Sequence, residues 1–446
     1  GGTLPLSTLT LSESWRKTVE DVAKRRHASI THTPPKIVVC GAKGSGKSTL
    51  VRYQLNHLLR SYPVVALIDC DMGQCELSPP GTVSLHMVKA PLLEPSYLVM
   101  SPPELSFFTG DTSAKQDPGR VLAAISALYN RYGKLQAAAD READREMKAN
   151  VEENMFRVFD NTAEQKARHT IPLLVNTDGW IRYTGGEILA AIVRLVQPSD
   201  IFHIVTDKDK TLDALAVLPA GCKKHDLSPG SRSPSRVNPS DSRLLRVISY
   251  FLRKSSVLSE LAMSASLPVS IKNGSIQDAS GAISYAMARS TMASMPFSLL
   301  SLGTLGPAVS IQNLRLAFNC SIVGICSLPT EEEHSTRHSS SDSDITVFKP
   351  KRSTDGGDIM VECHGLGIVR YIDDDKREIG IHAPTLLRQK LSHTEKILLL
   401  KGYLQLPLSF TFAPWASSHP FSSGEALGEG GAVMRSRVNL KRRSQA

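Results

Sequence analysis

Between Gly41 and Ser48 the chain reads GAKGSGKS, a complete G-x-x-x-x-G-K-[ST] loop. It follows the apolar run Ile37-Val38-Val39-Cys40 and opens into the helix-compatible stretch Thr49 to Arg60. A strand, a glycine-rich turn and a helix in that order commit this part of the chain to an α/β layer structure and to a phosphate-binding site. Gly41, Gly44 and Gly46 let the backbone double back so that its N–H groups converge on phosphate oxygens, while the helix N-terminus adds its dipole. In such a loop Lys47 reaches the β- and γ-phosphates, and Ser48 offers its hydroxyl to Mg²⁺. The candidate nucleotide-binding set is therefore Gly41, Ala42, Lys43, Gly44, Ser45, Gly46, Lys47, Ser48 and Thr49. A glycine turn that binds nothing is the competing reading, and the full match between strand and helix weighs against it.

Further short apolar runs at Val64 to Asp69, Leu98 to Met100, Leu173 to Asn176 and Ile201 to Thr206 alternate with helical stretches. They predict a parallel sheet flanked by helices over residues 37–265. With 446 residues, 41% hydrophobic, the chain has material for more than one core. Leu267 to Phe412 reads as short alternating strands with glycine turns, a β-rich C-terminal domain over 266–413. Residues 1–36 form an N-terminal remnant with a polar helix candidate from Ser14 to Arg26, suited to covering a sheet edge. Gln136 to Arg168 is rich in helix formers and i,i+4 charge pairs, a solvated helical insertion. Gly221 to Ser242 is rich in Ser, Pro and Arg. Pro329 to Asp358, with EEEHSTRHSSSDSD, has too little apolar surface to order itself. Residues 414–446 end in a basic tail.

Lys and Arg number 52 against 43 Asp and Glu, a net charge of +9 that favours a polyanionic partner. The 7 cysteines include no C-x-x-C pair, which speaks against a zinc module and a disulfide framework. No run approaches the length of a membrane-spanning helix and no signal-like segment opens the chain. The expectation is a soluble nuclear or cytosolic protein without membrane association.

A second phosphate-transfer element follows the second strand, in Ala66-Leu67-Ile68-Asp69-Cys70-Asp71-Met72-Gly73-Gln74. A carboxylate at a strand end beside a phosphate loop commonly holds magnesium, and another can take the proton of an attacking hydroxyl. Asp69 and Asp71 stand two apart, so in extended backbone both point to one side.

On these residues the chain resembles the polynucleotide 5′-hydroxyl kinases of the nucleolar pre-rRNA processing type, relatives of the kinase of the mRNA cleavage and tRNA splicing complexes. The resemblance rests on the phosphate loop, IDCDMGQCELSPPGTVSL (Ile68 to Leu85) and FFTGDTSAKQDPGR (Phe107 to Arg120). It continues through LLVNTDGWIRYTGGEILAAIVRLVQPSDI (Leu173 to Ile201) and RLLRVISYF (Arg243 to Phe251). Later matches are NCSIVGICSL (Asn319 to Leu328), CHGLGIVRYID (Cys363 to Asp373) and ILLLKGYLQLP (Ile397 to Pro407). Members of this family usually carry a β-rich domain ahead of the loop; in this chain 36 residues precede the first strand.

The resemblance implies transfer of the γ-phosphate of ATP to the 5′-OH end of RNA. Lys47 would hold the phosphates, Ser48 and Asp69 would organise Mg²⁺, and Asp71 would be the base. Asn176 to Trp180 would clasp the acceptor, with Thr177, Gly179 and Trp180 on the RNA. Asp178 departs from a proline common among relatives. Trp180 as a stacking face and Trp180 as a core aromatic both stand as readings. Arg243 and Arg246, three apart on one helix face, would belong to a lid over about 221–253 that neutralises the transferring phosphoryl group. A solvated helix face is the alternative. Arg232 and Arg236 are weaker lid candidates. Gln74, Asp111, Thr112 and Lys115 would shape the acceptor pocket, or the last three would only cap the next helix.

A GTPase would need an Asn-Lys-x-Asp base reader, which Thr206-Asp207-Lys208-Asp209 does not supply, so adenine is the expected base. The resemblance further implies a nucleolar setting and a HEPN-domain endoribonuclease as partner in pre-rRNA spacer processing. The tail with Trp415, Arg435, Arg437, Lys441, Arg442 and Arg443 would dock on that nuclease or on RNA, or serve as a targeting signal. A different class of function, a nucleotide-stabilised scaffold without phosphoryl transfer, stays as the alternative.

Overall fold

A computed structural model describes residues 11–28, 34–153, 169–206, 212–230, 239–252, 292–306, 309, 311–328, 346–348, 360–384, 387 and 396–405. The tail 414–446, Arg232 and Arg236, and residues 154–168 of the expected helical insertion lie outside them. The chain divides into two compact units, Gly1–Val247 with Arg352–Glu362, and Ile248–Lys351 with Cys363–Ala446.

The first unit is built on α1 (Glu13–Ala28), β1 (Lys36–Gly41), α2 (Lys47–Leu58), β2 (Val65–Asp69), β3 (Thr82–Val88), β4 (Leu105–Phe108), α3 (Pro118–Glu153), β5 (Leu173–Asn176), α4 (Thr184–Val196), β6 (Asp200–Ile204) and β7 (Lys223–Leu227). The sheet order is β4-β3-β2-β5-β1-β6-β7. β1 lies parallel between β5 and β6, with Val39 opposite Asn176 on one side and Phe202 on the other. Alternation along these strands supplies two cores. Val38, Cys40, Ala66, Ile68, Leu173 and Val175 face α3 and α4, whereas Ile37, Val39, Val65, Leu67 and Leu174 face α1 and α2. Burial on both faces is why these strands read as continuous apolar runs.

Two expectations need correction. The sheet is mixed, because β3 runs antiparallel to both β2 and β4. Leu98 to Met100 is not a strand: Leu98 is half exposed and its N–H closes a turn on Pro95 O. β3 escaped the pattern because its inward positions include Ser84 and His86, which are buried by bonding each other (3.0 Å) and Ser78 (3.0 and 2.9 Å). β7 lies inside the Ser/Pro/Arg-rich stretch as an edge strand paired to β6. α3 starts at Pro118, with Asp117 Oδ1 accepting Arg120 N–H at 2.9 Å, a proline at the first helical position after an N-cap aspartate.

The second unit carries β8 (Ala293–Pro296), β9 (Leu300–Thr304), β10 (Ile322–Ser327), β11 (Thr346–Phe348), β12 (Cys363–Asp373), β13 (Glu378–His382) and β14 (Ile397–Lys401) in one sheet of order β11-β9-β14-β10-β12-β13-β8. The helix Pro239–Leu252, named α5, ends in this unit, and α6 (Ile311–Phe318) adds Leu314 and Phe318 to the core. The fold is thus α/β with a β-rich C-terminal region. β11 lies within the segment expected to stay unordered: Val347 and Phe348 are buried against the sheet, paired in parallel with β9.

Candidate functional site

The phosphate loop leaves β1 at Gly41 and enters α2 at Lys47. Gly41 has φ 148°, and a Cβ there would stand 2.8 Å from Ile204 O. Gly46 has φ 106° and lies against the Trp15 ring of α1. Both values lie where an L side chain is strained, so the loop's course requires glycine. α2 begins with no capping side chain and no acidic residue in its first turn, an arrangement that leaves its positive end to an anion. Ser45 Oγ is buried without a protein partner. Lys47 Nζ donates to Gly41 O (3.0 Å) and Ala42 O (3.1 Å). Burial lowers the Lys47 pKa, opposed by the Asp71 and Asp178 carboxylates.

A cleft of about 730 Å³ opens over this loop. Among the expected site residues, Lys43, Gly44, Gly46, Lys47, Ser48, Thr49, Asp71, Gln74, Thr112, Lys115, Gly179, Trp180, Arg243 and Arg246 line it. Gly41, Ala42, Ser45, Asp69, Asp111 and Thr177 do not. Thr177 is buried, with Oγ1 donating to Val39 O at 2.9 Å, so it ties β5 to β1. Asp111 Oδ1 accepts Thr112 N–H at 2.6 Å and shapes its own turn. The cap of α3 belongs to Asp117, not to Asp111, Thr112 or Lys115.

Asp69 and Asp71 do not face the cleft together. β2 ends at Asp69 and the chain turns at once, so the extended geometry behind that expectation stops there. Asp69 is fully buried, with Oδ1 accepting from Asp71 N (3.2 Å) and Asn176 Nδ2 (3.0 Å) and Oδ2 from Glu76 N (2.5 Å). Burial pushes its pKa up to about 7, against the pull of those donors. Asp69 therefore organises the loop that presents Asp71. Asp71 Oδ1 in turn accepts the N–H groups of Gly73 (3.1 Å) and Gln74 (3.0 Å).

Across the cleft, a Cβ on Gly179 would sit 2.7 Å from Lys43 Cα, so the loop after β5 touches the phosphate loop backbone to backbone. Trp180 is half-buried: it packs against the core, lines the cleft, and carries Lys115 Nζ at 5.4 Å from its ring centroid. Asp178 accepts from Trp180 N at 3.2 Å, and its pKa is raised by burial and by nearby Asp71. From α5, Arg246 is buried and donates to Ser96 Oγ, while Arg243 bonds Ser240 Oγ at 3.1 Å. Arg246 is thus no solvated helix face.

Sequence reasoning missed Arg52, Glu76 and Ser96, which also line the cleft. Arg52 could have been found, because four residues past Ser48 on a helix falls on the same face. Ser96 lies in the long β3–β4 connection, where periodicity carries no signal.

Among the described residues no helix is long and apolar enough to cross a membrane. Residues 41–147 and 142–253 match the family model of the mRNA cleavage and polyadenylation factor CLP1 P-loop. The polynucleotide 5′-hydroxyl-kinase NOL9 of Arabidopsis thaliana is 29% identical over 389 residues, 84% of this chain and 86% of that protein. The NOL9 of Danio rerio is 26% identical over 429 residues, 90% of this chain and 50% of its own length. The polynucleotide 5′-hydroxyl-kinase grc3 of Schizosaccharomyces pombe is 33% identical over 179 residues, 40% of this chain but 21% of the relative. In fold, the chain is similar to Clp1p solved with Pcf11p, at TM-score 0.53 and 11% identity, covering 88% of this chain and 80% of that one. With a phosphate loop, a carboxylate, a tryptophan and a buried arginine on one cleft, the chain is similar to the polynucleotide 5′-hydroxyl kinases and matches the Clp1-type P-loop over residues 41–253.

Proposed function

We propose that this chain moves the γ-phosphate of ATP to the 5′-OH end of RNA produced during pre-rRNA spacer processing, in a nucleolar complex with a HEPN-domain endoribonuclease. The observation that carries the chemistry is the single cleft lined by Lys47, Ser48, Asp71, Trp180 and Arg246. The names of the relatives and the net charge of +9 support a polynucleotide acceptor; that it is RNA rests on the family resemblance. The partner and the processing step rest on the family resemblance.

In this reading the loop amides and Lys47 hold the β- and γ-phosphates. Lys47 must swing from the carbonyls of Gly41 and Ala42 to do so. Asp71, held by the turn at Gly73 and Gln74, accepts the proton of the attacking 5′-hydroxyl. Trp180 stacks on a base without selecting which one, and Arg243 offsets charge on the transferring group. The cleft's oxygen donors suit Mg²⁺, which takes few protein ligands. Ser48 would hold it, and when bound it would neutralise phosphate charge. Asp69, expected at the metal, is taken up by three N–H donors.

The test is transfer of labelled γ-phosphate from ATP to a short 5′-OH RNA, by the chain alone and with a candidate nuclease. Lys47→Ala and Asp71→Asn should each lower kcat at least a hundredfold, about 3 kcal/mol in the barrier, while the fold persists. ATP binding without transfer in either setting would instead establish the nucleotide-stabilised scaffold.

A further inference from the structure

We propose that Arg52, together with Arg246, forms an oxyanion subsite for the first internucleotide phosphate of the acceptor strand, and so selects a polynucleotide over a nucleoside. The inference deepens the kinase reading and rests on it.

Arg52 stands on α2 one turn beyond Ser48. Its Nε donates to Glu76 Oε2 at 2.5 Å and its Nη1 to Glu94 O at 2.5 Å, while Nη2 is buried with no protein partner. Arg246 is only 3% exposed. Its Nη2 donates to Ser96 Oγ, and its Nε and Nη1 are buried without partners. Both guanidinium groups line the same cleft, and both are pinned to the β3–β4 connection, through Glu94 and Ser96. Buried polar groups nearly always find hydrogen-bond partners, and charged ones most of all. Three such nitrogens without a protein acceptor, on two cations that make one ion pair, Arg52 with Glu76, among the described residues, call for an anion from outside. The fork of a guanidinium matches the oxygens of a phosphate.

The position decides which phosphate. The donor's phosphates are served by the loop amides and Lys47 at the start of α2. Arg52 is instead latched to Glu76, whose own N–H donates to Asp69 Oδ2 at 2.5 Å, in the segment that presents Asp71. Asp71 takes the 5′-hydroxyl proton in the kinase reading, so an anion held beside this segment is assigned to the acceptor strand, at its first phosphodiester.

The experiment compares two 5′-OH RNA oligonucleotides, one with a normal first linkage and one with an uncharged methylphosphonate there. For the wild type, the acceptor KM should rise at least tenfold on neutralisation, with a smaller change in kcat. Arg52→Lys keeps a cation for Glu76 but loses the fork. It should shrink that ratio below threefold while the KM for ATP moves less than twofold. Equal KM values for the two RNAs with wild type would overturn the subsite, as would an undiminished ratio in Arg52→Lys. A selective rise in the KM for ATP would assign the arginine to the donor instead and also overturn it. Absence of transfer to any 5′-OH RNA would sink the kinase reading. Fluorescence anisotropy with the same two RNAs would then still read the subsite, equal affinities overturning it.

Discussion

At the scale of single residues, the site depends on contacts that differ by an ångström or less. Gly179 is the clearest case, since any Cβ would stand 2.7 Å from Lys43 Cα and 2.9 Å from Lys43 N, both backbone atoms that cannot give way. Gly179→Ala should therefore push the clasp off the phosphate loop and weaken ATP binding at least tenfold, about 1.4 kcal/mol, as isothermal titration would show. Asp69 makes a second residue-scale prediction. Its pKa, raised by burial to about 7 from an ordinary 3.8, means that the native state binds the proton more tightly than the unfolded chain. The stabilisation is fully present below about pH 4 and is lost as pH rises through 7. From pH 5 to pH 8 this group should cost on the order of 2 kcal/mol of unfolding free energy. Asp69→Asn removes the titration and sets an amide against N–H donors, so its deficit in urea unfolding should be larger at pH 5 than at pH 8. An equal deficit at both would show that Asp69 does not titrate there. The glycine pattern and the carboxylates were readable as motifs. That one carboxylate lines the cleft and the other is spent on N–H donors was not, because the turn after β2 is tied to the Asn176 side chain from a distant strand as well as to Glu76 N–H.

At the scale of elements, α1 does more than cover an edge. Trp15 is fully buried, its Nε1 donates to Ser228 O at 2.8 Å, and its ring backs Gly46 and Gly230 at 3.2 and 3.3 Å from their hypothetical Cβ positions. The helix thus braces the phosphate loop from behind. Trp15→Ala should lower stability by about 3–5 kcal/mol through the cavity it leaves. It should also weaken nucleotide binding, because Gly46 loses its wall; denaturant unfolding and ATP titration of the same variant check both. Unchanged ATP affinity in a destabilised variant would reduce α1 to packing alone. The apolar β1, β2, β5 and β6 announced themselves because both faces are buried. β3 did not, since Ser78, Ser84 and His86 satisfy one another inside, and such a network leaves no apolar run to read.

For the whole molecule, charge is the property that reaches furthest. A chain of net charge +9, with Lys43, Arg52, Lys115, Arg243 and Arg246 on one cleft, should bind single strands in a strongly salt-dependent way. If three phosphates are neutralised, affinity for a 5′-OH oligonucleotide should fall about twentyfold between about 50 and about 200 mM salt. A flat salt response would remove the cleft as a backbone-binding surface. The sequence by itself determined the α/β class, the phosphate loop, the β-rich character of the C-terminal region and the family resemblance, because each is written in short spacings: glycines at a turn, alternation along a strand, motifs in a fixed order. Only the tertiary structure decided that Arg52, Ser96 and Arg246 meet, that Trp15 stands behind Gly46, and that Asp71 rather than Asp69 faces the cleft. Those juxtapositions join residues far apart in the chain through sheet order and burial, and local spacing carries no information about either.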